Sequence, residues 1–475
     1  MTFFSINFAA FVLVTLALYW LTYKWQPVRV TVLILASYFF YSQANPYFLL
    51  LLLFVSVFDF MLSKRMARAS TPGRRKALLI VSLVIDLGLL ASFKYLNFFA
   101  NIPIDIAGLF GVYMEPSQLR LPLPVGISFY IFQTLSYSID VYRGRTEPAH
   151  NLLDHLLYMA FFPRLLVGPI VRAEQFLPQL KQTSRLTKER FGKAVFLIIS
   201  GLFKKMIFAE YLALNLVDRV FDLPLMFSST EVLLGIFACV IHLYADFSGY
   251  TDIALGLGHL FGLDLPENFN FPFKARNLRD FWRRWHITLS RWLTDYLYIS
   301  MGGSRVNRQW KIYRNLMITM LLGGLWHGAA WTFVVWGLLH GVGLMFTRIW
   351  QRWLKKKGKD LSKSEPARIV AVFFTFLYLA LTWIFYRIES MQTFFDMMSS
   401  VFRGVWEAPN LNMDVVYVMG VAFFFTWWPD KWYNWVRKTW LRLPWFAQTA
   451  LFAGAMYLLF HFASSEVQPF VYEKF

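Results

Sequence analysis

Long apolar runs recur along the whole chain and are separated mainly by short, basic loops. Residues 5–21, 77–98 and 369–386 are examples, and a helix that crosses a membrane needs roughly 20 mostly apolar residues. Charged residues make up only 16% of the 475 residues and hydrophobic residues 57%, whereas a soluble domain carries about 25% charged residues. Because no polar linker divides the chain, the sequence predicts an all-α polytopic membrane protein, organised as a single domain over residues 1–475.

Some of the apolar runs are interrupted by helix-breaking residues. FFPRLLVGPIVR, within residues 150–171, has Pro163, Gly168 and Pro169 inside an apolar run, and residues 101–121 contain Pro103 and Gly108. Irregular backbone at membrane depth is tolerated only where protein or a wet cavity surrounds it. We therefore expect roughly 11 membrane-spanning helices, together with re-entrant segments.

The net charge is +19, from 47 basic and 28 acidic residues. The basic residues cluster in loops such as 63–76, 348–368 and 431–442, which fits the positive-inside rule and anionic lipids better than nucleic-acid binding. Placing these loops in the cytoplasm predicts that both termini lie outside it. The first apolar run lacks a basic leading segment and a clear cleavage site, which favours a retained membrane helix over a signal peptide.

The single cysteine excludes an intramolecular disulfide and a thiolate metal cluster. Cys239 lies in the apolar run LLGIFACVIH, where a small buried residue is favoured over a thioester carrier. His242 and His259 lie nearby along the chain, but their spacing does not argue for a metal site. We expect no metal and no tightly bound cofactor.

Residues 281–298, FWRRWHITLSRWLTDYLY, combine aromatic and basic side chains around His286. As one helix, the segment would place its tryptophans on one face and Arg283 and Arg284 on others. Such a helix suits the membrane surface or the mouth of a cavity. The arginines either bind lipid phosphate or hold an anionic substrate such as a nucleotide-linked acyl donor. Asn277, shortly before the segment, is a further candidate for donor binding.

A second candidate histidine lies at the edge of an apolar run. LGGLWHGAAW places His327 between Trp326 and Gly328. A histidine at membrane depth is costly and marks a functional site by default, and it can exchange a proton there. The surrounding glycines serve either close approach to a ligand or close helix packing. We predict catalysis or ligand binding by His327, substrate contact by Trp326 and a structural role for His340.

The motif YADFSGYTD, residues 244–252, places two carboxylates after an apolar run. Asp246 and Asp252 either orient a histidine or pair with Arg283, Arg284 or Lys274. Ion pairing is the commoner fate of such carboxylates. Asp246 is nevertheless a candidate for the substrate site.

These motifs resemble the membrane-bound O-acyltransferase family. The resemblance rests on YADFSGYTD, ENFNFPF, DFWRRWHITLSRWLTDYLYI, RNLMITMLLGGLWHG and WGLLHG, and on PVGISFYIFQTLSYSIDVYRG and FFPRLLVGPIVR earlier in the chain. It is most specific over residues 124–341, and the motifs are most similar to those of the bacterial branch that acetylates cell-surface polysaccharides. The resemblance implies a ring of membrane helices around a central funnel, with His327 as the active-site histidine and His286 as the second family histidine.

The resemblance further implies an O-acetyltransferase in the bacterial inner membrane. Acetyl-CoA is the expected cytoplasmic donor, and the acceptor is an extracytoplasmic polysaccharide such as peptidoglycan or an alginate-like exopolysaccharide. A periplasmic, hydrolase-like acetyltransferase is the expected partner, since the chain contains no such domain. His327 would act either as a general base or as the carrier of an acetyl group. Two alternatives are a transporter or flippase without covalent chemistry, and D-alanyl transfer to teichoic acid.

Overall fold

The computed structural model describes residues 5–117, 121–182, 185–358 and 364–462, and these residues form helices and contain no β-strand. The α-helices are α1 (Ile6–Leu21), α2 (Gln26–Ser42), α3 (Pro46–Ala67), α4 (Pro72–Leu90), α5 (Leu96–Leu109), α6 (Ile127–Arg143), α7 (Leu152–Ala160), α8 (Phe162–Leu165), α9 (Ala173–Lys181), α10 (Lys188–Phe203), α11 (Asp218–Asp222), α12 (Ser229–Leu260), α13 (Leu278–Phe281), α14 (Ile287–Trp292), α15 (Gln309–His327), α16 (Trp331–Lys356), α17 (Glu365–Arg387), α18 (Met391–Phe402), α19 (Met413–Trp427), α20 (Asp430–Arg442) and α21 (Trp445–Phe462). Segments of π-helix cover Ala91–Tyr95, Lys204–Glu210, Ala213–Val217 and Leu293–Tyr298, and 3-10 turns cover Pro224–Met226 and Pro272–Lys274.

Five helices among the described residues are long and apolar enough to cross a membrane. They are Pro46–Ala67, Pro72–Gly108, Ser229–Leu260, Trp331–Lys356 and Glu365–Arg387. Shorter apolar helices occur at Ile6–Leu21, Met413–Trp427 and Trp445–Leu459. The predicted all-α, multi-pass architecture is confirmed, whereas the predicted number of 11 spans is not. The first four residues and the last 13, on which the prediction for the two termini depends, lie outside the described residues.

The chain divides into two compact units. Unit 1 comprises Met1–Ala194 and Ala254–Pro266, and unit 2 comprises Val195–Ile253 and Glu267–Phe475. The long helix α12 therefore has residues in both units. The single-domain organisation predicted for residues 1–475 stays a prediction.

In unit 1, the predicted interruption within residues 150–171 is confirmed. Helix α7 ends at Ala160, α8 covers only Phe162–Leu165, and helical structure resumes at Ala173. The intervening chain is buried, and the guanidinium of Arg164 donates a hydrogen bond to the backbone carbonyl of Tyr158. A buried side chain thus supplies hydrogen bonds that the broken helix cannot make for itself.

The interruption expected within residues 101–121 begins later than the sequence suggested. Helix α4, the π-helical turn Ala91–Tyr95 and α5 follow one another directly, and Pro103 lies inside α5 without ending it. A proline removes one backbone hydrogen bond and is tolerated in membrane helices where neighbouring groups or a local π-turn relax the strain. The mixed segment expected over residues 101–121 therefore begins only after Leu109, and Pro103 and Gly108 belong to α5.

In unit 2, the motif YADFSGYTD lies inside α12 and does not follow its end, contrary to the prediction. Gly249 does not break the helix; it allows close packing, because a Cβ there would lie 2.7 Å from the Gly201 carbonyl oxygen. Residues 431–442, predicted as a basic loop, instead form most of α20. That helix begins directly after Pro429 with Asp430 in its first turn, an arrangement that favours helix initiation.

Helices α15 and α16 form an antiparallel pair whose close approach depends on glycine. A Cβ on Gly324 would collide with the Phe333 carbonyl oxygen, and one on Gly337 would lie 2.6 Å from the Met320 carbonyl oxygen. Both glycines are helical, so packing and not backbone conformation requires them. This pair brings the end of α15 against the beginning of α16.

Candidate active site

His327 is the last residue of α15, and the chain reverses direction within Gly328–Ala330 before α16 begins. The side chain of His327 is only 3% exposed. Gly328 has an extended conformation, with φ −160°, but a side chain there would collide with the Phe333 ring. The LWHG motif therefore places a histidine at a tight, buried helix end, where it can be held in a fixed orientation.

Tyr386, near the end of α17, fixes one side of the His327 ring. Its hydroxyl lies 3.3 Å from His327 Nδ1, and the two ring centroids are 5.1 Å apart. If the Nδ1–H group donates this hydrogen bond to the tyrosine oxygen, the lone pair of the imidazole is on Nε2. That tautomer is the one that a general base acting through Nε2 requires.

A small cavity adjoins His327 in unit 2. It measures about 10 Å³, which is near the minimum for one water molecule. Its lining residues come from α12, α15, α16, α17 and the turn before α14: Leu243, Asp246, Trp285, His327, Trp336, Trp383 and Tyr386. Two predicted site residues, Asp246 and His327, therefore meet at one largely aromatic cavity.

Asp246 is paired with a lysine and not with an arginine. Its carboxylate lies 2.7 Å from the Lys205 ammonium group, which is also 3.6 Å from a Glu210 carboxylate oxygen. These side chains are almost fully buried, at 2% exposure or less. Asp252, further along α12, pairs in the same way with Lys204 at 2.7 Å.

The predicted pairing of Asp246 and Asp252 with Arg283, Arg284 or Lys274 is therefore wrong. Arg284 pairs with Asp280 on its own segment, and Lys274 pairs with Asp430. The physical reason is that Lys204 and Lys205 form consecutive positions of a π-helical segment against α12. Residues that lie far apart in the sequence thus compensate each other's charge, as buried ions must.

The segment 281–298 is not one helix. Helix α13 ends at Phe281, a turn follows, and α14 begins only at Ile287. His286 lies between them with φ 41° and ψ 55°, one of two non-glycine residues with positive φ among the described residues. Left-handed backbone of this kind costs about 1–3 kcal/mol and concentrates at functional sites.

Asn268, from the ENFNFPF motif, holds this strained turn in place. Its backbone carbonyl accepts from Ile287 N at 3.0 Å, and its side-chain oxygen accepts from Thr288 N at 3.1 Å and from the Thr288 hydroxyl at 2.9 Å. These long-range bonds outweigh the helical preference of the segment. The prediction of a continuous amphipathic helix with His286 beside its aromatic face is corrected accordingly.

The His286 ring is fully buried between two aromatic rings. Its centroid lies 4.6 Å from Phe247 and 5.8 Å from Trp326, and Trp326 in turn lies 5.0 Å from His327. Neither ring nitrogen of His286 makes a hydrogen bond within the described part of the chain. The two family histidines are thus separated by one indole, and His286 does not line the cavity itself.

The remaining predicted donor-binding residues lie away from the cavity lining. Asn277 caps α13, since its side-chain oxygen accepts from Asp280 N at 3.0 Å. Arg284 is held by Asp280 at 2.9 Å, and Arg283 is exposed. The structure gives Asn277 a local structural role, and donor binding by these three residues stays a prediction.

Sequence reasoning missed several residues that shape the site. Tyr386, Trp336 and Trp383 line the cavity, and Lys205 compensates Asp246. The signal for Lys205 was present, because a Lys–Lys pair inside an apolar helix requires buried acidic partners. The described residues contain no group of three or more His, Cys, Asp or Glu side chains placed to hold a metal ion.

Comparison with known proteins places the chain in one family. Residues 2–386 match the membrane-bound O-acyltransferase (MBOAT) family. The chain is 39% identical over 408 residues to the Pseudomonas aeruginosa protein described as "Probable alginate O-acetylase AlgI", covering 85% of this chain and 75% of that protein. It is 36% identical over 387 residues to a peptidoglycan O-acetyltransferase of Helicobacter pylori, covering 76% and 71%.

A third relative is less similar to this chain. A teichoic acid D-alanyltransferase of Bacillus subtilis is 28% identical over 268 residues, covering 54% of this chain and 66% of that protein. The family match includes α12, the strained turn at His286, the helix end at His327 and Tyr386. The chain therefore belongs to the membrane-bound O-acyltransferase family and is a multi-pass membrane enzyme that transfers an acyl group to a hydroxyl group.

Proposed function

We propose that this enzyme takes acetyl groups from a cytoplasmic thioester, acetyl-CoA, and passes them across the inner membrane for O-acetylation of an extracytoplasmic polysaccharide. The observation that carries the proposal is the cavity beside His327, where a buried histidine oriented by Tyr386 meets an ion-paired carboxylate and three tryptophans. A buried base of fixed orientation, next to a space for a small group, suits acyl transfer to a hydroxyl.

His327 acts as the general base in this proposal. With a proton on Nδ1 held by Tyr386, Nε2 accepts the proton of the acceptor hydroxyl as its oxygen attacks the acetyl carbonyl carbon. General-base assistance of this kind is worth about 10²–10⁴-fold in rate. The imidazolium then returns the proton to the departing CoA sulfur, so that the histidine ends the cycle neutral.

The charge on Asp246 supports this cycle. Its carboxylate lines the same cavity as His327, and the cluster of Asp246, Glu210 and Lys205 contains two acids and one base. A carboxylate in a low-dielectric environment stabilises a positive charge that forms nearby. The imidazolium of His327 is such a charge.

His286 supports the site through its contact with the ring of Trp326. It contacts Trp326, whose other side contacts His327, and its own backbone is held by Asn268 in a strained conformation. We infer that these packed rings hold the side chains of Trp326 and His327 in fixed positions when the donor enters. His286 is thus a positioning residue in this proposal, while His327 is the catalytic one.

The cellular setting follows from the same proposal. The enzyme lies in the bacterial inner membrane with both termini on the periplasmic side, and a periplasmic, hydrolase-like acetyltransferase receives the acetyl group and passes it to the glycan. Peptidoglycan and an alginate-like exopolysaccharide are the two acceptor classes, because relatives named for each are similar to this chain over more than 70% of their lengths. Transfer of D-alanine has weaker support, since the relative named for it matches only 54% of this chain.

The experiment measures alkali-released acetate from purified peptidoglycan and, separately, from exopolysaccharide. The cells are wild type, a deletion strain, and the deletion complemented with the wild-type protein or with His327→Ala at equal membrane levels. We expect one glycan to lose its acetate in the deletion and only the wild-type protein to restore it. Full restoration by His327→Ala would remove His327 from the catalytic role, and unchanged acetate on both glycans in the deletion would contradict the proposed acceptors.

A further inference from the structure

Trp336, on the first two turns of α16, has a buried indole N–H without a hydrogen-bond partner in the described part of the chain. The side chain is 2% exposed and lines the cavity beside His327. Of the three tryptophans that line this cavity, only Trp336 has an indole nitrogen that is both buried and unpartnered among the described residues. The Trp336 indole nitrogen therefore differs from those of the other two tryptophans that line the cavity.

An unpartnered donor of this kind has an energetic cost. Burying a polar group without a hydrogen bond costs about 1–3 kcal/mol, and native proteins retain few such groups. The aromatic neighbours of Trp336 are the rings of His327 at 5.1 Å, His340 at 4.5 Å and Tyr386 at 5.8 Å between centroids. The fold holds the indole firmly in place, yet leaves its one polar group unsatisfied.

The cavity explains where a partner for this donor can come from. Its volume of about 10 Å³ is near the minimum for one water molecule, and the ring of Trp336 forms part of its wall. A ligand oxygen that enters the cavity lies beside the residue whose indole N–H group lacks a partner in the described part of the chain. Preformed donors aimed at an oxygen on which charge develops are among the strongest contributions to enzymatic rate.

We propose that Trp336 is a catalytic residue whose indole N–H stabilises the oxyanion of the acyl donor. The proposal rests on the proposed function of the cavity. The acceptor oxygen forms a bond to the thioester carbonyl carbon while its proton passes to His327. The π-electron pair of the C=O bond moves onto the carbonyl oxygen, which accepts the hydrogen bond from Trp336 Nε1.

The proposed reaction conserves both electrons and protons. When the C=O bond re-forms, the C–S bond breaks, and the departing thiolate takes the proton back from the His327 imidazolium. The Trp336 hydrogen bond is strongest while the oxygen is charged and weaker before and after. A donor used in this way raises kcat and leaves the KM for the acyl donor nearly unchanged.

The test replaces the N–H group and keeps the shape of the side chain. 3-Benzothienylalanine, a tryptophan isostere with sulfur in place of N–H, is inserted at position 336 of the full-length protein by genetic code expansion. The matched control carries the same analogue at Trp350, an exposed residue further along the same helix. Inverted membrane vesicles from the deletion host, which retain its glycan and periplasmic partners, are assayed for CoA thiol released from acetyl-CoA.

We expect the analogue at position 336 to lower kcat by about 10²–10³-fold, with KM and membrane level unchanged, as for the loss of one oxyanion donor. The analogue at Trp350 retains the wild-type rate. Wild-type kcat with the analogue at 336, or a rise in KM at constant kcat, would overturn the role of Trp336 while leaving the proposed function intact. If wild-type vesicles release no more thiol than deletion vesicles, the proposed function fails, and this proposal with it.

Discussion

Buried carboxylates occur in both units, but their surroundings differ. In unit 2, Asp246 lies 2.7 Å from the buried ammonium group of Lys205 and lines the cavity. In unit 1, Asp59 on α3 accepts from the Ser138 hydroxyl and has His155 Nε2 at 3.5 Å, while one oxygen of Asp86 on α4 has no hydrogen bond in the described part of the chain. Neither Asp59 nor Asp86 has a lysine or arginine ion-pair partner among the described residues.

The difference shows which buried acids to associate with chemistry. An ionised group at membrane depth is expensive unless a counter-charge accompanies it. Unit 2 provides that counter-charge beside a cavity, so that Asp246 can remain a charge next to His327. Around Asp59 and Asp86, unit 1 instead provides hydroxyl groups and a histidine. Burial of an acid alone therefore does not mark an active site, whereas burial with a counter-charge at a cavity does.

The largest expected effect follows from removing the positive charge that is paired with Asp246 in unit 2. Lys205→Met removes the positive partner of the buried Asp246 carboxylate, and we expect the free energy of unfolding to fall by about 3–5 kcal/mol. The matched change Lys204→Met affects a pair whose side chains are 25% and 17% exposed, and we expect it to cost at most about 1 kcal/mol. Thermal unfolding of the purified proteins in detergent measures both.

Removing both charges provides the control for this prediction. The double variant Lys205→Met with Asp246→Leu should regain most of the stability lost by Lys205→Met, because no unpaired charge remains. It should still transfer acetyl groups slowly, since the Asp246 carboxylate that lines the cavity beside His327 is missing. If Lys205→Met and Lys204→Met unfold at the same temperature, the contrast between the fully buried pair and the partly exposed pair is wrong.

A smaller effect tests the close packing of the α15–α16 pair. Gly324→Ala places a methyl group against the Phe333 carbonyl oxygen, and we expect a loss of about 1–3 kcal/mol from overpacking. Gly88→Ala in α4 of unit 1 meets nothing within 4 Å and should instead gain about 0.5–1 kcal/mol from helix propensity. The two variants differ only in position, so equal unfolding temperatures would refute the packing argument.

The smallest effect is expected in the acid cluster of unit 1. Asp59→Asn keeps the shape of the side chain and removes an ionisable group that has no lysine or arginine partner in the described part of the chain. Since the change removes a cost as well as a hydrogen-bond acceptor, we expect a stability change within about 1 kcal/mol. Acetyl transfer in membrane vesicles should remain at the wild-type rate. A loss comparable to that of Lys205→Met would contradict the comparison between the units.

The sequence was sufficient for the all-α, multi-pass architecture, and two of its candidate site residues, Asp246 and His327, line one cavity. Apolar length predicts helices at membrane depth because the backbone has no other way to satisfy its hydrogen bonds there. His327, which the sequence places at the edge of an apolar run, is the last residue of α15. The helical state of residues 431–442 was missed, because their charged and aromatic side chains resemble a surface loop when read locally.

The remaining features depend on contacts between distant residues. Tyr386 reaches His327 across 59 positions, and Asn268 holds the turn at His286 from 20 residues before Thr288. Local periodicity over residues 281–298 favoured a helix, and long-range hydrogen bonds overrode it. The pairing of Lys205 with Asp246 likewise depends on how the π-helical segment packs against α12, which no spacing along the sequence encodes.

The central claim is that the cavity beside His327 is the acyl-transfer centre. The most direct measurement is the transfer of labelled acetyl from acetyl-CoA into alkali-labile ester in inverted membrane vesicles, normalised to the amount of protein. We compare His327→Gln with His340→Gln, which changes a fully buried histidine that contacts Thr382 at 3.2 Å and does not line the cavity. The account predicts a loss of about 10²–10⁴-fold for His327→Gln and a far smaller loss for His340→Gln. Transfer by His327→Gln at the wild-type rate would contradict it.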